Sequence, residues 1–267
     1  LSAQDSYMLD QHLNLSNLHD IAIIAARAAG EVILAVYDKF ELSFKDDSSP
    51  LTTADLAANE AIINHLKPTK IPICSEESIL EFNKRDENST FWLVDPLDGT
   101  KEFVSKSGQF CVSIALIQNS RPILGVIYSP LSDDMYSSYI GSNIYKNGQT
   151  LEQSFCKSLL IVGNSQHQKE IDKFVNQFNL NILKLSSAIK FGYLIEGKAS
   201  LFVRFYGSSL WDTAAGDFLL HQSGGIMLSL KDLKPLNYGK KDTLNDNFIA
   251  LNKFEKINLK RYLDYIN

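Results

Sequence analysis

The sequence predicts a layered protein of mixed α and β structure, with an α+β amino-terminal lobe and an α/β carboxy-terminal lobe. Three observations carry this prediction. Apolar residues recur at helical spacing in two early segments, 17–38 and 53–66. Short runs rich in β-branched and aromatic residues then crowd the stretch between residues 71 and 140. After about residue 156 strand-like and helix-like segments alternate, which is the rhythm of an α/β lobe. The expected division is 1–156 and 157–267, the two lobes forming one compact unit.

The elements follow in order. Segment 17–38 reads as a long helix. Its centre carries Arg27 and Glu31, four apart on one face, so a helix buried in a globular protein fits better than a membrane span. In 53–66, Ala54, Ala57, Ala58, Ala61, Ile62 and Leu66 share one helical face. IPICS (71–75) and FWLV (91–94) read as strands. QFCVSIALI (109–117), PILGVIY (122–128) and MYSSYI (135–140) form a meander, and Asn147-Gly148 marks a tight turn. In the second lobe SLLIVG, NILKLS and ASLFVRF read as strands. HQKEIDKFVNQF and SAIKFGYLIEG read as helices, and a further helix is expected from Trp211 to Gly224-Gly225.

With 267 residues, 45% of them apolar, the chain can bury a large core. The net charge is −5 and no basic tract stands out, which argues against a nucleic-acid polymer as partner. Small phosphorylated molecules fit better, since a few local cations suffice to hold them. Cys74, Cys111 and Cys156 are odd in number and form no C-x-x-C pair, the pattern of reduced core thiols in an intracellular protein. The opening LSAQDSYMLDQHLN is polar and acidic, unlike a secretory leader.

The stretch FWLVDPLDGTKEF runs an apolar strand into Asp95 and Asp98, then Gly99 and Thr100. Two carboxylates at one strand end are costly unless a cation neutralises them. Hard divalent ions such as Mg²⁺ take carboxylates, carbonyls and waters, and the Leu97 carbonyl lies between the two acids. Three other acidic positions fall at element ends: Asp55 in SPLTTAD, Glu76 in SEES, and Asp212 in WDTAAG, expected in the first turn of its helix. Alone, each has an ordinary explanation. Asp212 could be a helix-start acid, Glu76 a solvated loop residue, and Asp-Gly-Thr a turn. The order in which they occur together is what makes them persuasive.

That order resembles the inositol monophosphatase superfamily of Mg²⁺-dependent, lithium-sensitive phosphatases. WLVDPLDGT and WDTAAG meet its two hallmarks, and the resemblance runs from about Leu18 to Leu251. DGTKEF, SSPLTTADLAAN, the run SSAIKFGYLIEGKASLFVRF and KPLNY resemble its 3′(2′),5′-bisphosphate nucleotidase branch. The resemblance implies a layered αβαβα sandwich and a phosphatase that converts adenosine 3′,5′-bisphosphate into AMP and phosphate. An inositol-1-phosphate or sugar-phosphate phosphatase on the same scaffold is the alternative. A non-catalytic metal- or nucleotide-binding regulator is the remote one.

Carried over residue by residue, the resemblance implies two to three Mg²⁺ ions, with Li⁺ inhibitory. Glu76, Asp95 and the Leu97 carbonyl would hold the first ion. Asp95, Asp98 and Asp212 would hold the second, and a weaker third would lie near Glu76. Thr100 and Asp55 would activate the attacking water, and the N–H groups of Gly99 and Thr100 would cradle the phosphate. The metal-holding groups Glu76, Leu97, Asp98 and Asp212 would thereby also touch the substrate. Lys190 and Arg204 are the cations expected near the nucleotide, with Ser187 and His167 as lesser candidates. The segment NSQH departs from the branch, with Ser165 where relatives have arginine, which weakens the reading of His167. The expected setting is the cytoplasm, with peripheral attachment to the inner membrane and homodimerisation left open.

Overall fold

The computed structural model describes residues 13–44, 50–155, 158–163 and 168–266. Helix α1 (Leu15–Val36) starts at Asn14, whose side chain accepts the Asn17 N–H at 3.1 Å. Strands β1 (Leu42–Phe44) and β2 (Pro50–Thr52) pair antiparallel and lead into helix α2 (Thr53–Leu66). A reciprocal cap opens α2: the Thr52 hydroxyl accepts the Ala54 N–H, and the Asp55 carboxylate accepts the Thr52 N–H.

A seven-stranded sheet follows, in the spatial order in which its strands occur. It comprises β3 (Ile73–Ser75), β4 (Thr90–Asp98), β5 (Cys111–Gln118), β6 (Arg121–Ser129), β7 (Asp134–Tyr139), β8 (Tyr145–Lys146) and β9 (Gln149–Thr150). Only β3 and β4 run parallel. The short helix α3 (Thr100–Val104) leaves the end of β4. Asn147 and Gly148 both have positive φ, the geometry of a two-residue hairpin turn between β8 and β9.

Five more strands build the second sheet: β10 (Leu159–Val162), β11 (Asn181–Lys184), β12 (Leu201–Arg204), β13 (Ile226–Ser229) and β14 (Phe248–Leu251). Their spatial order is β11-β10-β12-β14-β13, parallel across the first three and antiparallel across the rest. The helices of this half are α4 (Gln168–Phe178), α5 (Ile189–Ile195), α6 (Ala214–Gln222) and α7 (Leu259–Ile266).

The layers follow from strand alternation, since successive side chains on a strand face opposite sides. Trp92 and Val94 of β4 join α1 and α2 in one core, with Ala22, Ala26, Ile33 and Ile62. Phe91 and Leu93 face the other way, into a central core with α5, α6 and the inward residues Phe202, Phe248 and Ala250 of the small sheet. Val203, Ile249 and Leu251 point outward into a third core, against Phe174 of α4 and Tyr262 of α7. The result is a five-layer αβαβα sandwich, as the resemblance implies.

Most expected elements are present, with shifted ends. The helix expected from Trp211 begins at Ala214, and Trp211–Thr213 form a turn before it. The reason is local: Asp212 Oδ2 accepts the Ser209 N–H at 2.9 Å, closing a turn before the helix can start. Gly224, at φ 85°, ends α6. Cys74 and Cys111 are buried free thiols, whereas Cys156 lies outside the described residues. Among the described residues no helix is long and apolar enough to cross a membrane.

Candidate active site

The end of β4 places the motif. Asp95 pairs with Ser113 and Asp98 with Cys111, and the register breaks between them. That bulge turns the strand end, so both carboxylates reach the same cleft. Asp95 Oδ1 accepts the Leu97 N–H at 3.1 Å, tightening the turn. Gly99 follows at φ 95°, and a Cβ there would lie 2.8 Å from the Gln109 carbonyl oxygen. A glycine is required on both counts. The Thr100 hydroxyl then donates to Asp55 Oδ1 at 3.0 Å and to the Leu97 carbonyl at 3.2 Å.

Asp55 is buried because it caps α2. Its Oδ2 takes the Thr52 N–H at 2.7 Å and the Thr52 hydroxyl at 2.6 Å, which leaves Oδ1 for Thr100. Burial raises its pKa, and the hydrogen bonds from Thr52 and Thr100 partly offset this.

A cleft of about 490 Å³ gathers Glu76, Asp95, the Leu97 residue, Asp98, Gly99, Thr100 and Asp212. The acids disturb one another. Asp95, 2% exposed, is held well above the usual carboxylate range by burial and then by the charges of Glu76, Asp98, Asp212 and Asp55. Burial pushes Asp98 up to about 6, against the pull of Lys190 and the Ala188 N–H. Asp212 is pushed up to about 7 by burial and Asp98, with Arg204 opposing. Four mutually repelling carboxyls in one cleft, beside a main-chain carbonyl, form a hard oxygen donor set suited to Mg²⁺-like ions. Among the described residues they share this cleft without closing round a common point. Asp98 Oδ2 accepts the Ala188 N–H and Asp212 Oδ2 the Ser209 N–H.

A second cleft of about 410 Å³ opens beside the first and shares Asp98, Gly99, Lys101, Glu102, Arg204, Ser208 and Asp212 with it. It is lined further by Ser186, Ser187, Lys190, Phe191, Phe202 and Phe248. Lys190 is buried, with Nζ 5.2 Å from the centre of the Phe202 ring; burial lowers its pKa and Asp98 opposes the shift. The Arg204 guanidinium sits 4.7 Å from the Tyr206 ring centre and donates to the Tyr206 and Gly207 carbonyls. Ser187, at φ 55°, precedes α5. His167 and Ser165 lie outside the described residues.

The structure thus brings Asp55, Glu76, Asp95, Leu97, Asp98, Gly99, Thr100 and Asp212 to one cleft or its wall, and Ser187, Lys190 and Arg204 to the adjoining one. Sequence reasoning placed Lys101 and Glu102 no more firmly than at the rim of the site, and both line both clefts. Their position directly after the motif was the available signal. It missed Ser208, Ser209 and Phe248, which carry no local mark.

The family model described as the inositol monophosphatase family matches residues 14–265. The 3′(2′),5′-bisphosphate nucleotidase CysQ of Escherichia coli K12 is 35% identical over 234 residues, covering 84% of this chain and 95% of that protein. Among solved structures, CysQ from Bacteroides thetaiotaomicron, a bacterial member of the inositol monophosphatase family, aligns with a TM-score of 0.81 at 33% identity. That alignment covers 90% of this chain and 98% of the other. An inositol monophosphatase from Anabaena aligns with a TM-score of 0.76 at 28% identity, covering 96% and 98%.

Proposed function

Because the chain belongs to the inositol monophosphatase family, we propose that it is a phosphatase that removes the 3′-phosphate of adenosine 3′,5′-bisphosphate, leaving AMP and phosphate. The observation that carries this reading is the pair of joined clefts. One is acidic and suited to metal ions, and the other is flanked by Lys190 and Arg204 and walled by Phe202 and Phe248. A nucleoside with two phosphates matches that division: the scissile group beside the acids, and the base and second phosphate among the rings and cations. The two CysQ relatives support the same reading.

Glu76, Asp95 and the Leu97 carbonyl would hold one Mg²⁺, and Asp95, Asp98 and Asp212 a second, with a third near Glu76. Such ions, when bound, supply positive charge to the phosphate oxygens and make a nearby water more acidic. The chain's own part is proton handling and orientation. Thr100 Oγ1 takes a proton from the attacking water as its own proton passes to Asp55 Oδ1. The water oxygen bonds to phosphorus, the bond from phosphorus to the 3′-oxygen breaks, and that oxygen leaves with a proton from solvent. Asp55 suits the acceptor role because burial raises its affinity for a proton. Gly99 and Thr100, at the start of α3, line the same cleft as the acids, and their N–H groups would orient the phosphate.

An inositol-phosphate phosphatase is the second reading, favoured by the Anabaena neighbour. A phosphate-release panel with Mg²⁺ separates the two, comparing adenosine 3′,5′-bisphosphate, inositol 1-phosphate, fructose 1,6-bisphosphate and 5′-AMP. The bisphosphate nucleotide is expected to give the highest kcat/KM. Preference for inositol 1-phosphate would overturn the substrate assignment.

A further inference from the structure

We propose that Asn245 is a positioning residue that fixes the orientation of Asp212, an inference that rests on reading Asp212 as a metal-holding acid. Asn245 sits just before β14, in a segment that lies against the turn carrying Asp212. Leu244 and Ser209 form an isolated antiparallel bridge, the Leu210 N–H donates to the Thr243 carbonyl at 2.8 Å, and the Asn245 N–H to the Ser208 carbonyl at 2.6 Å. The main chain alone therefore docks the two segments. It does not fix the turn's side chains.

The Asn245 amide adds that constraint. Its Nδ2 lies 2.7 Å from the Ser209 carbonyl oxygen, 2.9 Å from Thr213 Oγ1 and 3.2 Å from Ser208 Oγ, so two N–H groups are shared among three acceptors. The orientation is forced. A flipped amide would point its oxygen at the Ser209 carbonyl, which can only accept.

Ser209 is held from both ends. Its carbonyl takes the Asn245 amide, and its N–H donates to Asp212 Oδ2 at 2.9 Å. The Asp212 N–H returns to the Ser209 carbonyl at 3.3 Å. Thr213, the next residue, is held by the same Nδ2. Asn245 thus grips the residues on both sides of the turn that aims the Asp212 carboxylate into the shared part of the two clefts.

The other half of the amide argues that packing alone does not explain the residue. Asn245 is 7% exposed, and Oδ1 is buried with no hydrogen-bond donor among the described residues. An unpaired buried acceptor is destabilising, and an apolar side chain of similar size would avoid it. The donor half is what the position uses.

The test measures Mg²⁺ and Mn²⁺ binding by titration calorimetry on the full chain, together with thermal melting, for Asn245→Ala and Asn245→Leu. The leucine variant keeps the volume without the donor, so it reports even if the alanine variant folds poorly. Metal dissociation constants are expected to rise about 10- to 100-fold, the scale for losing a group that orients a metal ligand. KM for the nucleotide at saturating metal should stay unchanged. Asn252→Ala is the structural control. Its Nδ2 donates to the Ala199 carbonyl at 2.8 Å, and its Oδ1 accepts the Phe254 and Glu255 N–H groups, all outside both clefts. It should lower the melting temperature and leave metal affinity as it was. Wild-type metal affinity in both Asn245 variants, with Asp212→Asn weakened, would overturn the positioning role alone. Wild-type affinity in Asp212→Asn would overturn the premise. An equal loss of affinity in Asn252→Ala would make the effect one of stability and overturn the inference.

Discussion

Thr100 and Asp55, 45 positions apart in the chain, are joined by a 3.0 Å hydrogen bond from hydroxyl to carboxylate. The same carboxylate caps helix α2 through its other oxygen, which takes both the N–H and the hydroxyl of Thr52. One aspartate therefore starts a helix and orients the threonine beside the acidic cleft. The two duties are separable by mutation.

Thr100→Ala should lower turnover by roughly 10²- to 10⁴-fold, the usual range for a positioned acid–base group, while leaving Mg²⁺ affinity nearly intact. Asp55→Asn should resemble it in rate and also lower the melting temperature, since the cap weakens. The double variant should be little slower than either single one, because the pair acts as a unit. Strictly multiplicative losses in steady-state kinetics would separate the two residues.

The acidic cleft has a signature in stability. Asp95, Asp98 and Asp212 all have folded-state pKa values raised above the unfolded value, chiefly by burial. The folded chain then binds more protons than the unfolded one, so stability falls as pH rises. The loss starts near the unfolded value of about 3.9. For Asp98 and Asp212 it is complete only above about 6 and about 7. In EDTA the melting temperature should decline across that window, and Mg²⁺ should flatten the decline. Asp95→Asn should raise the melting temperature in EDTA at neutral pH. Parallel calorimetric curves with and without Mg²⁺ would count against ion binding by these acids.

Activity should require a divalent ion, and Asp98→Asn or Asp212→Asn should lower kcat at least ~10³-fold, on the scale of losing a key electrostatic contact with the reacting group. Phosphate release in EDTA at the Mg²⁺ rate, or near-normal rates in both variants, would remove these residues from the site.

Gly99→Ala should be nearly inactive without change in the residues that carry chemistry. The added Cβ would meet the Gln109 carbonyl, and φ 95° disfavours any side chain. The strand end must shift, and Asp98 and Thr100 flank it. A near-normal rate would mean the motif tolerates displacement.

Much of this site was legible because its signals are local. Asp95, Leu97, Asp98, Gly99 and Thr100 lie in one run, and Asp55 in SPLTTAD stands at the start of the second expected helix. What escaped is set by distant contacts. The Asp98 carboxylate reaches the Ala188 N–H across 90 positions, and Asn245 reaches Ser209 across 36; neither spacing has a periodic trace. The late start of α6 was hidden for a related reason. Trp211 and Thr213 fit a helical pattern, and only the Asp212 bond to Ser209 shows the turn. Strands β13 and β14 were likewise unread, because their buried apolar residues match those of a helix until the sheet partners are known.

Substrate choice is the last step, and we infer that Arg204 governs it. Arg204 lines both clefts, close enough to the acids that its charge opposes the burial that raises the pKa of Asp98 and Asp212. The carbonyls of Tyr206 and Gly207 and the face of the Tyr206 ring hold its guanidinium in place. A fixed planar donor beside a phosphatase centre suits a second phosphate, which adenosine 3′,5′-bisphosphate has and inositol 1-phosphate lacks. A charge-assisted contact of this kind contributes about 1.5–3 kcal/mol, or roughly 10- to 100-fold in affinity. Arg204→Ala should therefore raise KM for the bisphosphate by about that factor while sparing hydrolysis of inositol 1-phosphate. Arg204→Lys should recover only part of the loss, since a lysine cannot make the planar paired contact. An equal effect on both substrates would assign Arg204 to structure and leave Lys190 to hold the second phosphate alone.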